Sequence, residues 1–197
     1  MSDLTRPAGR GPGSKEAFIT STQELLRRRG YAATGVNEIV ARSGAPKGSL
    51  YFHFPGGKEE LALAAMQRAA AQLSAIMEAI LDGGDDLGQS LAKLIDALAA
   101  GLAASQFADG CPIATVALET ANESEAMRAA AAAAFDSWLE VISRRLIAAG
   151  FDAAAAEQRA LLMLAAIEGG LILARAKHDV APLRALCPQL IALVDRA

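Results

Sequence analysis

Aromatic side chains make up only 5% of the 197 residues, and there are just two cysteines and two histidines. Few Phe, Tyr and Trp means few of the residues that favour strands, and the alanine-rich remainder leans towards helix. Cys111 and Cys187 are too few for a disulfide scaffold, so a reduced, cytoplasmic setting is expected. His53 has only the distant His178 for company and no cysteine near it, so no metal site is read. Long uninterrupted apolar runs are missing as well. The longest, 161–174, carries Glu168 and two glycines, whereas a spanning helix needs about 18 residues without such breaks. The first 13 residues hold Arg6 and Arg10 but no apolar stretch, unlike a signal peptide. No strand leads into a phosphate-binding glycine loop, and no spacing joins a nucleophile to a base. Neither an enzyme nor a cofactor is indicated.

The net charge of −3 speaks against nucleic acid only as an average. Residues 1–58 contain nine lysines and arginines against four acids, a net of +5. The other 139 residues contain ten against 18, a net of −8. A basic head on an acidic body is the pattern of a nucleic-acid-binding module fused to something else.

Along the chain, residues 1–13 read as a flexible basic arm, in which Arg6 and Arg10, with Lys15 just beyond, either reach a minor groove or simply aid solubility. Ser14 is a candidate N-cap for a helix with Phe18, Thr22, Leu25 and Leu26 on one stripe, closed by Arg27, Arg28, Arg29 and Gly30. Thr34 is a candidate cap for a short helix over 36–42, with Ile39 and Val40 inward and Gly44 after it. Pro46 suits the first position of a third helix over 46–52. The turn Phe54-Pro55-Gly56-Gly57 precedes a long helix opened by Lys58 and ended by Gly83-Gly84. Further helices are predicted near 86–105, 112–120, 124–149, 153–177 and 181–195, with Asp152 as a cap and Gly150 just past a helix end. The expectation is an all-α protein of about nine helices: an arm over 1–13, a three-helix helix-turn-helix head over 14–62 and a larger helical body over 63–197.

Two short helices joined by a glycine turn present the second one outward, where it fits a major groove. A bare helix-glycine-helix is common in helical proteins, but the surrounding residues are specific. The run from Gly30-Tyr31-Ala32-Ala33-Thr34 through Gly44-Ala45-Pro46-Lys47-Gly48-Ser49-Leu50-Tyr51-Phe52-His53-Phe54 to Lys58-Glu59-Glu60-Leu61 resembles the DNA-binding head of the TetR/AcrR family of transcriptional regulators. The likeness covers residues 14–62 in register. It implies that Pro46, Lys47, Gly48 and Ser49 meet base edges or phosphates, and that Tyr51 and His53 reach the phosphate backbone. Thr34, from its cap position, and Lys58 are expected to make further phosphate contacts. The bland alternatives are a solvated lysine at 47, an exposed serine at 49 and a purposeless glycine at 48. Phe52 and Phe54 are read as core, and the triple arginine as a solvated helix end.

The same resemblance implies a homodimer on a palindromic operator and a body enclosing a small, largely apolar effector, with no membrane involved. The segment from Gly110 to Glu119 looks like one in the subgroup of lincomycin- and flavonoid-responsive repressors. Met66, Phe107, Cys111, Glu119 and Trp138 are the pocket candidates, each with plain core or, for Glu119, a solvent-facing acid as the alternative. Cys111 has no positive neighbour in sequence and reads as a buried structural thiol. Leu161, Leu164, Ala165, Glu168, Gly169, Ile172 and Leu190 are the dimer-interface candidates. Each glycine inside that helix costs about 1 kcal/mol against alanine, which close approach at a symmetric interface or a kink would explain. A helical adaptor or an enzyme without specific DNA binding is the competing reading.

Overall fold

A computed structural model describes residues 13–83 and 86–195. Every regular element among them is helical: α1 (Ser14–Arg29), α2 (Val36–Ser43), α3 (Lys47–His53), α4 (Gly57–Leu81), α5 (Leu87–Ala104), α6 (Pro112–Thr120), α7 (Glu125–Ala148), α8 (Ala153–Lys177), α9 (Ala181–Ala185) and α10 (Cys187–Ala192). The predicted last helix is thus two short pieces divided at Leu186, ahead of Pro188. The basic arm, Gly13 apart, lies outside the described residues, as does Gly84.

Local chemistry sets most boundaries. Asp86, Ser124 and Asp152 each accept a backbone N–H three residues on, at 2.7, 3.2 and 2.9 Å, satisfying one of the four N–H groups a helix start leaves open. Gly150 follows α7 with positive φ, as its sequence position suggested. Two expected caps differ. The cap of α1 is Gly13, and Ser14 turns its hydroxyl to the His53 ring instead. The cap of α2 is Gly35, because the Thr34 hydroxyl turns back to donate to the Gly30 carbonyl at 2.6 Å.

The head is α1 to α3. Phe18, Leu25, Leu26, Ile39 and Leu50 are at most 1% exposed and form its core, while Val40 is half-buried against it. Gly44 takes φ 66, the left-handed turn that sets α2 against α3. In the body, α7 lies between α4 and α8, and α4 also packs on α1. Since α4 runs unbroken through residues 62 and 63, the expected domain boundary falls inside a helix. Trp138 is 1% exposed and ties α7 to α4 by donating its indole N–H to the Ala70 carbonyl at 3.2 Å. By length and apolarity α5 could cross a membrane, yet it carries Lys93 and Asp96 and packs against α4, α9 and α10.

Candidate DNA interface and effector cavity

The outward side of the helix-turn-helix follows from helical spacing. Leu50 and Phe54, one turn apart, point inward at 0% and 2% exposure. Phe52 lies between them, about 200° round the axis from each, and is 80% exposed. It is therefore a surface residue, not the core residue expected. Pro46, Lys47, Gly48 and Tyr51 are exposed with it, and Ser49 is half-buried. A methyl group at Gly48 would meet no described protein atom within 4 Å. Nothing among the described residues requires glycine there. The Lys47 ammonium donates to Asn37 Oδ1 at 3.0 Å, linking α3 to α2.

Three expected phosphate ligands stand elsewhere. Thr34 is 1% exposed with its hydroxyl already donated, so its side chain cannot meet a phosphate. His53 is half-buried, with Nε2 2.9 Å from Ser14 Oγ. Lys58 lays its ammonium 4.0 Å from the centre of the Tyr31 ring, a cation–π contact. Burial lowers the Lys58 pKa against the opposing pull of Glu119, and raises that of Tyr31 with help from Glu59.

Lys58 belongs to a joint between head and body that the sequence does not disclose. From the end of α6, the Glu119 carboxylate accepts the backbone N–H groups of Tyr31 at 2.6 Å and Ala32 at 3.0 Å. A methyl at Gly30, where φ is 75, would stand 2.1 Å from Glu119 Oε1. Glu119 is consequently neither a pocket residue nor a solvent-facing acid. The arginine run meets the body too. The Gly110 N–H donates to the Arg27 carbonyl at 3.0 Å, Arg28 pairs with Asp109 at 3.1 Å, and Arg175 of α8 donates to the carbonyls of Arg28 and Ala108, both at 2.9 Å. Pairing across 147 residues leaves no local signal, so these arginines read as a solvated helix end.

A cavity of about 330 Å³ sits among α4, α5, α7, α8 and the loop before α6. Leu73, Ile76, Leu98, Leu102, Leu171 and Trp138 give it an apolar wall. Ile76 is 50% exposed, so the cavity opens to solvent beside α4. Its polar groups are Arg27, Gln72, Asp109, Cys111 and Glu168. Two expected pocket residues, Cys111 and Trp138, line it. Met66 is sealed in the core at 1% exposure, and Phe107 lies against the His178 ring, 5.4 Å between centres. Burial and the neighbouring Glu168 carboxyl push the Cys111 thiol well above its usual range, in keeping with an unreactive thiol.

Glu168, expected at the dimer interface, faces this cavity instead, on the side of α8 shared with Leu171. Leu190 is 2% exposed and belongs to the core of its own chain. Gly170 rather than Gly169 makes the close helix approach, since a methyl there would meet Leu186 at 2.6 Å and Leu183 at 3.0 Å within the same chain. Leu161 and Ile172, 60% and 56% exposed, with Ala165 and Gly169 between them, leave an open apolar stripe along α8. Leu164 is half-buried at its edge.

Comparison with known proteins agrees with this arrangement. Residues 18–65 match the bacterial regulatory proteins of the tetR family, and residues 88–189 match the C-terminal domain of LmrA/YxaF-like transcriptional regulators. An HTH-type transcriptional regulator of Mycobacterium tuberculosis is 36% identical over 176 residues, covering 87% of this chain and 89% of that one. The HTH-type regulator YxaF of Bacillus subtilis is 35% identical over 183 residues, covering 93% and 96%. The crystal structure of regulatory protein TetR from Rhodobacter sphaeroides shares the fold, with a TM-score of 0.81 at 23% identity, over 91% of this chain and 98% of that one. With an outward-facing third helix on a helical body and relatives this similar along nearly its whole length, the chain belongs to the TetR family of transcriptional regulators.

Proposed function

We propose that this DNA-binding regulator is a cytoplasmic repressor, holding a palindromic operator as a homodimer and released when a small, largely apolar molecule enters the cavity. Regulators of the family bind DNA operators as dimers and answer to small-molecule effectors. The observation that carries the DNA reading is the exposed run Pro46, Lys47 and Gly48 at the start of α3, with open space over Gly48. Ser49 and Tyr51 complete the contact face. Exposed Phe52, missed in the sequence, adds an apolar surface beside them. Lys58 reaches a phosphate only by leaving Tyr31, and His53 only by releasing Ser14. Thr34, buried and with its hydroxyl given to Gly30, has no part in that face.

The dimer is assigned to the open stripe of α8 through Leu161, Ala165, Gly169 and Ile172. A two-fold axis there would set two α3 helices on half-sites about one helical turn, roughly 34 Å, or a multiple of it apart. Ligand in the cavity would favour one head separation over another in proportion to its differential affinity for the two states.

Selection of bound sequences from random DNA, followed by titration across salt concentrations, tests this reading. A palindrome should emerge, and Lys47→Ala should weaken binding while lowering the salt slope by about one per head. Ile172→Glu should yield a folded monomer with little operator affinity. Binding without sequence preference would refute the regulator reading, and a dimeric Ile172→Glu protein would refute the interface.

A further inference from the structure

Charge in the cavity is not balanced. Asp109 is shared by two guanidiniums, Arg28 at 3.1 Å and Arg27 at 3.7 Å, and neither arginine pairs with Glu168. Arg175, two turns beyond Glu168 on α8, directs its guanidinium to the carbonyls of Arg28 and Ala108. Glu168 makes no ion pair with any described residue, and its Oε2 is buried without a hydrogen-bond partner. The Cys111 thiol lines the same wall but brings no charge. Gln72 and Trp138, from α4 and α7, are neutral, and α5 contributes only apolar and small residues to the wall. One carboxyl thus stands without an ion-pair partner among the described residues in a largely apolar cavity, where an unpaired buried charge is costly and a positive partner correspondingly favourable.

We infer that the cavity selects a cationic ligand, an apolar and aromatic-sized body whose protonated amine sits at the Glu168 carboxyl. This rests on the reading of the cavity as the effector site and supplies the chemistry of its occupant. Leu73, Leu98, Leu102, Leu171 and Trp138 would cover the body, and the Glu168 carboxyl would accept from the ammonium. Without a cationic partner, burial holds the carboxyl pKa above its ordinary value, partly offset by the neighbouring Cys111 thiol. The ammonium would draw it back down, so binding releases a proton at pH between the lowered and the raised value.

The test uses three probes of one shape: 1-naphthylmethylamine, 1-naphthalenemethanol and 1-naphthoic acid, titrated calorimetrically into the intact protein at pH 7.5. The amine should bind at least tenfold more tightly than the alcohol, with the acid weakest. Glu168→Gln should abolish the preference for the amine while keeping alcohol affinity within about threefold. In the unmodified protein, amine-over-alcohol preference should shrink as pH falls towards 5, while both probes keep their charge state. That arm needs no variant to fold. Equal binding of amine and alcohol, or an amine preference that survives Glu168→Gln, overturns the cationic inference and leaves a neutral-effector cavity standing. No heat from any of the three probes overturns the cavity reading along with it.

Discussion

Replacing Gly30 by alanine tests whether head and body are latched at Glu119. Gly30 is buried and combines φ 75 with ψ −171, a conformation essentially confined to glycine, and forcing another residue into it costs about 1–3 kcal/mol. The new methyl would also stand 2.1 Å from Glu119 Oε1, so the carboxylate must leave. It would abandon two N–H donors, and hydrogen bonds to a charged group contribute about 1.5–3 kcal/mol each when buried. Because Glu119 is half-buried and Ala32 exposed, about 2 kcal/mol for the pair is the appropriate figure. Gly30→Ala should then cost about 3–5 kcal/mol, and Glu119→Ala alone about 2. Once Glu119 is gone, Gly30→Ala meets only its backbone strain, so the double variant should also cost about 3–5 kcal/mol rather than the sum, a coupling near 2. Urea unfolding followed by circular dichroism gives these values, at one protomer concentration because dimerisation contributes to stability. Strictly additive costs, or a Gly30→Ala loss under about 1 kcal/mol, would refute the latch.

Thr34→Val should destabilise the protein by about 1–2 kcal/mol, by leaving the Gly30 carbonyl unpaired, with the DNA salt slope unchanged. A lower slope at unchanged stability would return Thr34 to the phosphate ligands. Because the folded carboxyl of Glu168 holds its proton to higher pH than the unfolded one, its contribution to stability falls as pH rises from the ordinary carboxylate value through the raised one. Glu168→Gln should therefore gain stability over the unmodified protein across that range in pH-dependent melts, and a gap independent of pH would contradict it. Alkylation with iodoacetamide, read by mass spectrometry, should label Cys187 well before the more deeply set Cys111, whose pKa is raised further. Faster labelling of Cys111 would count against an inert thiol.

The sequence discloses contacts that repeat at helical spacing and hides those that close long loops. Phe18, Leu25, Leu26, Ile39 and Leu50 follow the period of the helix and are core. Spacing applied to α3 would also have placed Phe52 outward, opposite Leu50 and Phe54. Thr34 was misread because a hydroxyl before a helix can cap forward or bond backward, and only the turn at Gly30 decides between them. Glu168 lies at the margin of the α8 stripe, where one face meets the cavity and the next meets open solvent. The period of 3.6 residues cannot resolve that step. Leu190 needed the fold of α9 and α10, and Glu119 a partner 88 residues away.

The grip on the end of α1 bears on how such proteins can be rebuilt. Arg27 and Arg28 offer carbonyls to Gly110 and Arg175, while Tyr31 and Ala32 offer N–H groups to Glu119. The DNA reader is thus no detachable cassette, because its first helix is finished by atoms from the loop before α6, the end of α6 and α8. A chimera joined at residue 62 would unite a reader with a body lacking its matching clasp. Exchanging the exposed residues of α3 alone would leave every one of those contacts in place, and that is the smaller and safer unit for moving operator specificity between relatives.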